Sequence, residues 1–300
     1  MRLTVVGCAA AWSRVPGRAS SSYLVELGAP ADPGVPAAAS PLADLAVPGR
    51  PSAPGRPLAP AILLDMGQGA FSALSGYRDP NTIDGVLISH AHPDHCIDLV
   101  PLRLFLRFGC VPARTVTLRG PAELRQRFDG LTNEPDFLCD LPGDPLTPGT
   151  FELAGFQVSV APVLHKDSSF AFRVAPAGRS GPGELAGAAS SGLGRSTGAD
   201  SSAPGLVYSG DCGRADDLLA LIRPGDTLLV EASHGAGPII EGPNHLNVAE
   251  VVRVATAGRV GRVVLTHFLD DVDPQAALEL ARSTFAGESL VAEPGLRLAI

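Results

Sequence analysis

Residues 89–95, Ser-His-Ala-His-Pro-Asp-His, decide the fold and most of the chemistry of this chain. Three histidines and a carboxylate fall within six positions, at His90, His92, Asp94 and His95. A short apolar run before them predicts a strand, and apolar residues at helical spacing after them predict a helix. Neutral imidazole and carboxylate are ligands for zinc and neighbouring divalent metals. The segment therefore predicts a metal site in a loop between a strand and a helix.

Composition narrows the classes to which the 300-residue chain can belong. Its formal net charge of −8 argues against a protein that grips long RNA or DNA through phosphates. Five cysteines without a Cys-x-x-Cys pair fit a reduced protein better than a disulfide-stabilised secreted one. No apolar stretch approaches the roughly 18 residues of a membrane span. We therefore expect a cytoplasmic protein with no membrane partner, in which Cys96 and Cys212, close to candidate site residues, are sensitive to oxidation.

Two segments, 30–60 and 177–204, are rich in Ala, Pro, Gly and Ser and have no apolar periodicity. Neither could bury enough apolar surface to offset the entropy of ordering it, so both are predicted to be disordered surface insertions. The strands that flank each insertion are expected to pair as hairpins. The expected pairs are 21–26 with 61–65 and 170–174 with 206–209.

The remaining sequence divides into two halves with similar patterns. In the first half, strands are predicted at Leu3–Gly7, Ser21–Glu26, Ala61–Asp65, Gly85–Ser89 and Thr115–Leu118, with helices at Gly69–Ser75, Cys96–Arg107 and Pro121–Phe128. In the second half, strands are predicted at Phe151–Ala161, Phe170–Val174, Leu206–Ser209, Thr227–Glu231, Val263–Thr266 and Leu296–Ile300, with helices at Arg214–Ile222, Asn247–Ala257 and Pro274–Ala286. Each half reads as a sheet covered on one face by helices. The simplest packing is an α/β fold in which residues 1–300 form one domain, a four-layer αββα sandwich.

Four further polar residues follow directly on apolar strands. His165 and His267 each end such a run, Asp211 follows the strand at 206–209, and Asp65 closes the strand before a Met-Gly turn. Polar residues placed repeatedly at strand ends predict a site on one rim of the sheets. His234 fits no such pattern and is expected to be a loop residue.

Together these motifs resemble the metallo-β-lactamase-fold hydrolases. The resemblance rests on His-x-His-x-Asp-His at 90–95, His165, Ser-Gly-Asp at 209–211, Thr-His at 266–267 and Asp-x-Gly at 65–67, in that family's order. It implies two divalent metal ions, expected to be zinc, with manganese or iron as alternatives. By resemblance, the first metal is held by His90, His92 and His165, the second by Asp94, His95 and His267, and both by Asp211. Asp65 would orient the histidine-containing loop at 89–95, here called the His loop, by accepting hydrogen bonds.

The resemblance also bears on the reaction. A hydroxide shared by two metals is a nucleophile for phosphoryl chemistry, and a leaving alkoxide then needs a proton. In ribonuclease Z-like phosphodiesterases, a Glu after the bridging Asp and a His opening the next helix supply it, which matches Glu231 and His245. With Asp94, these two are the expected catalytic residues. Within this branch the motifs look most like an actinobacterial group associated with cyclic-nucleotide phosphodiesterase activity, which implies hydrolysis of a 3′,5′-cyclic nucleotide such as cAMP.

Two other reactions stay open on the same metals. One is tRNA 3′-end cleavage by a ribonuclease Z, although 177–204 has neither the basic cluster nor the aromatics expected of a tRNA-binding arm. The other is ester or thioester hydrolysis of the glyoxalase or lactonase kind, which would not need Glu231 and His245. A non-catalytic binding protein on this fold would be expected to lose ligands, and none is lost. We expect a small phosphodiester substrate rather than long nucleic acid, and the sequence is compatible with a homodimer.

Overall fold

The computed structural model describes residues 1–28, 59–178, 203–239, 242 and 245–300. The strands are β1 (Arg2–Gly7), β2 (Ser22–Glu26), β3 (Ala61–Leu64), β4 (Gly85–Leu87), β5 (Thr117–Arg119), β6 (Gly149–Leu153), β7 (Phe156–Val163), β8 (Ser169–Pro176), β9 (Leu206–Tyr208), β10 (Thr227–Glu231), β11 (Arg262–Thr266), β12 (Glu288–Val291) and β13 (Arg297–Ala299). The α-helices are α1 (Ala70–Leu74), α2 (Pro93–Cys96), α3 (Leu99–Leu104), α4 (Leu124–Thr132), α5 (Val248–Ala257) and α6 (Pro274–Thr284). Most strands are short apolar runs, as expected of strands covered on both faces.

The strands form two mixed sheets. One has the order β13-β1-β2-β3-β4-β5, and the other has the order β12-β11-β10-β9-β8-β7-β6. Between the sheets lies a core to which both contribute, including Leu64 and Leu87 from the first and Phe172 and Leu229 from the second. A second apolar cluster lies between the first sheet and α1, α3 and α4, and a third between the second sheet and α5 and α6. This is the predicted αββα sandwich, and the two-sheet prediction is confirmed.

Both predicted hairpin pairings are present. Strand β2 pairs antiparallel with β3, so that Glu26 lies opposite Ala61, and β8 pairs antiparallel with β9, so that Val174 lies opposite Leu206. The insertions predicted at 30–60 and 177–204 fall almost wholly on 29–58 and 179–202, which lie outside the described residues. The chain therefore leaves and re-enters the fold at neighbouring strands in both places.

Two strand predictions need correction, and one strand was not predicted. The strand predicted over Phe151–Ala161 is a hairpin of β6 and β7, because Ala154 and Gly155 take positive φ angles of 51° and 81° and reverse the chain. The C-terminal strand β13 pairs with β1 in the first sheet instead of joining the second. Strand β12 was missed. It is only four residues long and pairs in parallel with β11 at the sheet edge.

Three helix predictions also change. The helix predicted over Pro121–Phe128 lies over Leu124–Thr132. The helix predicted over Cys96–Arg107 is split into α2 and α3, followed by one wide turn over Phe105–Gly109. The helix predicted over Arg214–Ile222 is a 3-10 helix over Ala215–Ala220. In the described part of the chain, no helix has both the length and the apolar character needed to cross a membrane.

Candidate metal centre

The His loop connects β4 to α2, and hydrogen bonds to one buried carboxylate, that of Asp65, hold it in place. Asp65 accepts hydrogen bonds from the Ser89 backbone N–H (2.6 Å), the Ser89 hydroxyl (2.7 Å) and the Tyr208 hydroxyl (2.5 Å). It also lies 2.7 Å from His95 Nδ1. At a φ of 59°, Asp65 turns the chain sharply at the end of β3. A proton on His95 Nδ1 is thereby fixed toward Asp65, which leaves Nε2 free to act as a ligand.

The structure brings the first predicted ligand set together. His92 Nδ1 lies 3.0 Å from His90 Nε2 and 3.4 Å from His165 Nε2. One oxygen of Asp211, Oδ2, completes the group at 3.6 Å from His90 Nε2 and 3.9 Å from His165 Nε2. All four ligand atoms lie within 4.8 Å of one another, the spread expected of atoms around a single ion.

The second predicted set meets beside the first. His267 Nε2 lies 3.1 Å from His95 Nε2 and 3.2 Å from Asp94 Oδ2. The other oxygen of Asp211, Oδ1, lies 3.2 Å from His95 Nε2 and 3.5 Å from His267 Nε2. Asp211 thus presents one oxygen to each set, which is the geometry required of a residue shared by two metals.

The donor atoms fit metal ions better than they fit one another. Oδ1 of Asp211 is buried and has no hydrogen-bond partner among the described residues. It lies 3.2 Å from His95 Nε2, and although burial would lower the pKa of His95, the charges of Asp211 and Asp65 raise it well above its usual range. A buried acceptor without a partner is costly, and a cation between the two would satisfy both.

The pKa values of the candidate ligands also favour a metal site. Burial by itself would raise the pKa of Asp211, but His267 and His95 outweigh it and hold that pKa well below its ordinary value. Burial would raise the pKa of Asp94 as well, and its hydrogen bond to His267 lowers it instead. For His90, burial and the neighbouring His95 lower the pKa well below its usual range. The carboxylates are therefore ionised and His90 is neutral at pH 7, whereas His95 has to lose a proton before its Nε2 can bind a metal.

Two polar residues that sequence reasoning missed orient the outer nitrogens of the ligands. Ser233 Oγ lies 3.0 Å from His267 Nδ1 and donates to Glu231 Oε2 at 2.7 Å. Asp167 Oδ2 lies 3.3 Å from His92 Nε2. Such partners fix the ring orientation and the tautomer of a metal-binding His. A lone Ser or Asp in a loop carries no spacing signal by which one sequence could have revealed either role.

Glu231 and His245 stand beside the predicted ligands. His245 Nδ1 lies 3.1 Å from Glu231 Oε1 and 3.9 Å from Asp211 Oδ2. Glu231 is fully buried at the end of β10 and also accepts the Cys212 backbone N–H at 3.0 Å. Burial lowers the pKa of His245, but the hydrogen bond and charge of Glu231 prevail and raise it to about 9. His245 therefore holds a proton at neutral pH within reach of the predicted ligands.

His234 joins none of these donor sets. Its ring centroid lies 6.0 Å from that of His245, and its Nε2 is buried without a hydrogen-bond partner in the described part of the chain. Cys96 and Cys212, expected to be sensitive to oxidation, are both buried. Burial raises the pKa of the Cys96 thiol to about 12 and also raises that of Cys212. Both thiols are thus protonated and shielded, so that expectation is wrong.

Comparison with known proteins places this arrangement in a family. A model described as a β-lactamase superfamily domain matches residues 61–268. An uncharacterised protein of Mycobacterium leprae is 28% identical over 241 residues, which cover 76% of this chain and 74% of that protein. A ribonuclease Z of Bradyrhizobium sp. is 30% identical over 268 residues, which cover 77% of this chain and 88% of that enzyme. The crystal structure of the metallo-β-lactamase fold protein YhfI from Bacillus subtilis shares the fold, with a TM-score of 0.72 and 21% identity over 99% of this chain and 98% of that one.

Proposed function

The chain belongs to the β-lactamase superfamily and is a metal-dependent hydrolase, and from this premise we propose that it is a phosphodiesterase acting on 3′,5′-cyclic nucleotides. The products would be nucleoside monophosphates. The observation that carries the proposal is the pair formed by the buried Glu231 and the half-buried His245, placed next to two donor sets that share Asp211. An ester or thioester hydrolase on the same metals has no need of this pair.

The residues for two divalent ions, proposed to be zinc, fall into the two donor sets. His90, His92 and His165 would hold one ion, Asp94, His95 and His267 would hold the other, and Asp211 would bind both. Two such ions, when bound, supply a hydroxide nucleophile at neutral pH and positive charge for the phosphoryl group. Asp94 would contribute a negative ligand at the catalytic centre, where its Oδ2 lies 3.2 Å from His267 Nε2.

His245 supplies the proton that the leaving oxygen needs. Opening a 3′,5′-cyclic phosphate frees a ribose alkoxide, which is a poor leaving group unless it is protonated as the bond breaks. Glu231 holds His245 through Nδ1, so that Nε2 remains to donate. Because Glu231 is itself fixed by Ser233 and Cys212, the imidazole is held in one orientation.

A small substrate is favoured over long nucleic acid. The net charge of −8 gives little support for binding an extended phosphate backbone. The similarity to a ribonuclease Z supports phosphodiester chemistry and makes tRNA cleavage the second candidate.

We also propose that residues 1–300 form one domain and that the protein acts in the cytoplasm. Support for one domain comes from β13, which pairs the C-terminal end of the chain with β1.

A substrate panel tests the proposed reaction. Protein loaded with zinc or manganese would be assayed with cAMP, cGMP, bis(p-nitrophenyl) phosphate, a tRNA precursor, a thioester and a β-lactam. We expect turnover of the cyclic nucleotides and the model diester. A preference for the tRNA precursor would select the ribonuclease alternative, and turnover confined to the thioester would refute the phosphodiesterase proposal.

The role of His245 can be separated from metal binding. His245→Ala is expected to reduce kcat on the cyclic nucleotide by roughly 10²- to 10⁴-fold, because it removes a general acid. The metal content of the variant, measured by mass spectrometry, should equal that of the wild-type protein. His234→Ala is the matched control, as it removes a neighbouring imidazole that belongs to none of the donor sets, and its kcat should be unchanged. Loss of metal together with activity in His245→Ala would show that His245 is a ligand instead.

A further inference from the structure

We infer that a cleft beside the metal centre, lined by Trp12 and here called the Trp12 cleft, binds the nucleobase of the substrate by stacking on the indole ring. The inference rests on the proposed phosphodiesterase function and names the part of the substrate that selects it. The cleft has a volume of about 390 Å³ and is formed by the loop after β1 and the segment after β11. That volume lies in the range of small-molecule pockets in proteins.

Both walls of the cleft are anchored to the metal centre. One wall begins with Phe268, the residue after the candidate ligand His267. The other begins at Ala9, which forms a β-bridge with Phe268, while the preceding Cys8 carbonyl accepts the His267 backbone N–H at 3.2 Å. The cleft therefore begins one residue along the chain from a candidate ligand of the metal centre.

The lining has the chemistry that recognises a flat, polar-edged ring. Trp12 is 55% exposed and Val15 is 50% exposed, so large apolar groups face solvent within a concavity. An exposed indole offers a π-face on which any nucleobase can stack. Arg18 adds hydrogen-bond donors in the same cleft. An aliphatic acyl or peptide substrate would gain less from this combination than a base does.

The Trp12 loop is held across the cleft by an ion pair. Arg14 Nε donates to Asp270 Oδ2 at 2.6 Å, and Ser13 Oγ donates to Asp270 Oδ1 at 3.2 Å. The Arg14 guanidinium carbon lies 5.7 Å from the centre of the Trp12 ring. This cation–π contact and the ion pair hold the exposed indole at the cleft. With Asp270 balanced by Arg14, the charge of Arg18 remains to suit an anionic nucleotide.

Trp12 is the only tryptophan of the chain, so its fluorescence reports on the cleft directly. Metal-free protein would be titrated with cAMP and, in parallel, with ribose 5-phosphate, which lacks a base. We expect saturable quenching of tryptophan emission by cAMP and none by ribose 5-phosphate. Equal quenching by both ligands, or no saturable quenching by cAMP, would overturn the inference.

Kinetics of the metal-loaded enzyme give a second measure. Trp12→Ala should raise KM for cAMP about tenfold or more, which corresponds to about 1.4 kcal/mol of binding, with kcat little changed. Trp12→Phe keeps an aromatic face and should restore most of the affinity. Phe108→Ala, which truncates an exposed aromatic residue outside the cleft, is the control and should leave KM unaltered.

The two proposals fail in different ways. If the wild-type enzyme hydrolyses cyclic nucleotides and Trp12→Ala leaves KM unchanged, the base-binding role is wrong while the phosphodiesterase function stands. If no phosphodiester is hydrolysed at all, the proposed function is wrong, and the fluorescence titration still decides whether the cleft binds a nucleotide base.

Discussion

Asp211 divides its two carboxylate oxygens between two groups of histidines. Oδ2 faces His90 and His165, whereas Oδ1 faces His95 and His267. This division depends on the Gly210–Asp211 turn after β9, where Gly210 takes a φ of 56°. A Cβ on Gly210 would come within 2.8 Å of the Ser89 side chain. A single backbone turn therefore places one carboxylate between ligands from both halves of the chain.

Metal stoichiometry tests this division at the level of one residue. Asp211→Ala should lower the occupancy of both metal positions, because both lose the shared oxygen donor. Asp94→Ala is the matched comparison: it removes a carboxylate from one donor set, so it should lower the occupancy of one metal and spare the other. The readout is metal per protein after dialysis. Two metals retained by Asp211→Ala would contradict a bridging role.

At the scale of elements, helix α5 positions His245, the proposed general acid. His245 lies two residues before Asn247, the N-cap of this helix. Asn247 Oδ1 accepts the Glu250 backbone N–H at 3.0 Å, and Glu250 Oε2 accepts the Asn247 backbone N–H at 3.1 Å. Asn247 Nδ2 also donates to the Gly237 carbonyl at 2.8 Å. This capping box fixes where the helix starts, and with it the entry of His245 into the site.

Removing this cap should affect both stability and turnover. Asn247→Ala is expected to lower the free energy of unfolding by about 1 kcal/mol or more, and to reduce kcat, because His245 loses its fixed approach to Glu231. Asp273→Ala removes the equivalent N-cap of α6, where Asp273 Oδ1 accepts the Gln275 N–H at 2.8 Å. Asp273→Ala should lower the free energy of unfolding by a similar amount without lowering kcat. Urea denaturation and steady-state kinetics measure the two effects, and equal loss of kcat in both variants would argue against a positioning role for α5.

At the scale of the molecule, both segments outside the described residues join strands that are already neighbours. The Leu27 backbone N–H donates to the Pro60 carbonyl at 2.9 Å, which closes the ends of 29–58. At the other segment, Arg173 Nη2 donates to the Ala203 carbonyl at 2.9 Å and also pairs with the buried Asp226. The residues at the margins of each segment are therefore part of the fold.

Deletion of the segments tests how far they matter. Replacing 179–202 with a short Gly-Ser linker should leave turnover of cyclic nucleotides within about twofold, because shortening the connection between two neighbouring strands changes its closure entropy little. The same result is expected for 29–58. A deletion extended to 177–204 is the comparison and should lower the melting temperature, since it removes the Ala203 carbonyl that Arg173 binds. Loss of small-substrate turnover in the shorter deletion would identify that segment as a binding element.

Much of the site could be predicted because its signals are local. The spacing of four donors, His90, His92, Asp94 and His95, can be recognised within one short segment. A polar residue directly after an apolar strand likewise predicts a position on the rim of a sheet. The hairpin partners of the insertions followed from the same alternation of strand and turn. Prediction failed where a boundary depends on backbone conformation, as at Ala154–Gly155, or on a distant partner, as for β13 and β1.

The sequence by itself determined the donor types, their order along the chain and the layered α/β fold, because hydrophobic periodicity and ligand chemistry are properties of short segments. Only the tertiary structure decided how these donors are used. Asp65 directs the proton of His95 away from the centre, Ser233 links His267 to Glu231, and Asp211 turns one oxygen to each donor set. These choices depend on atoms brought within about 3 Å from strands far apart in sequence, and the hydrogen-bond geometry that governs them exists only after the two sheets have packed.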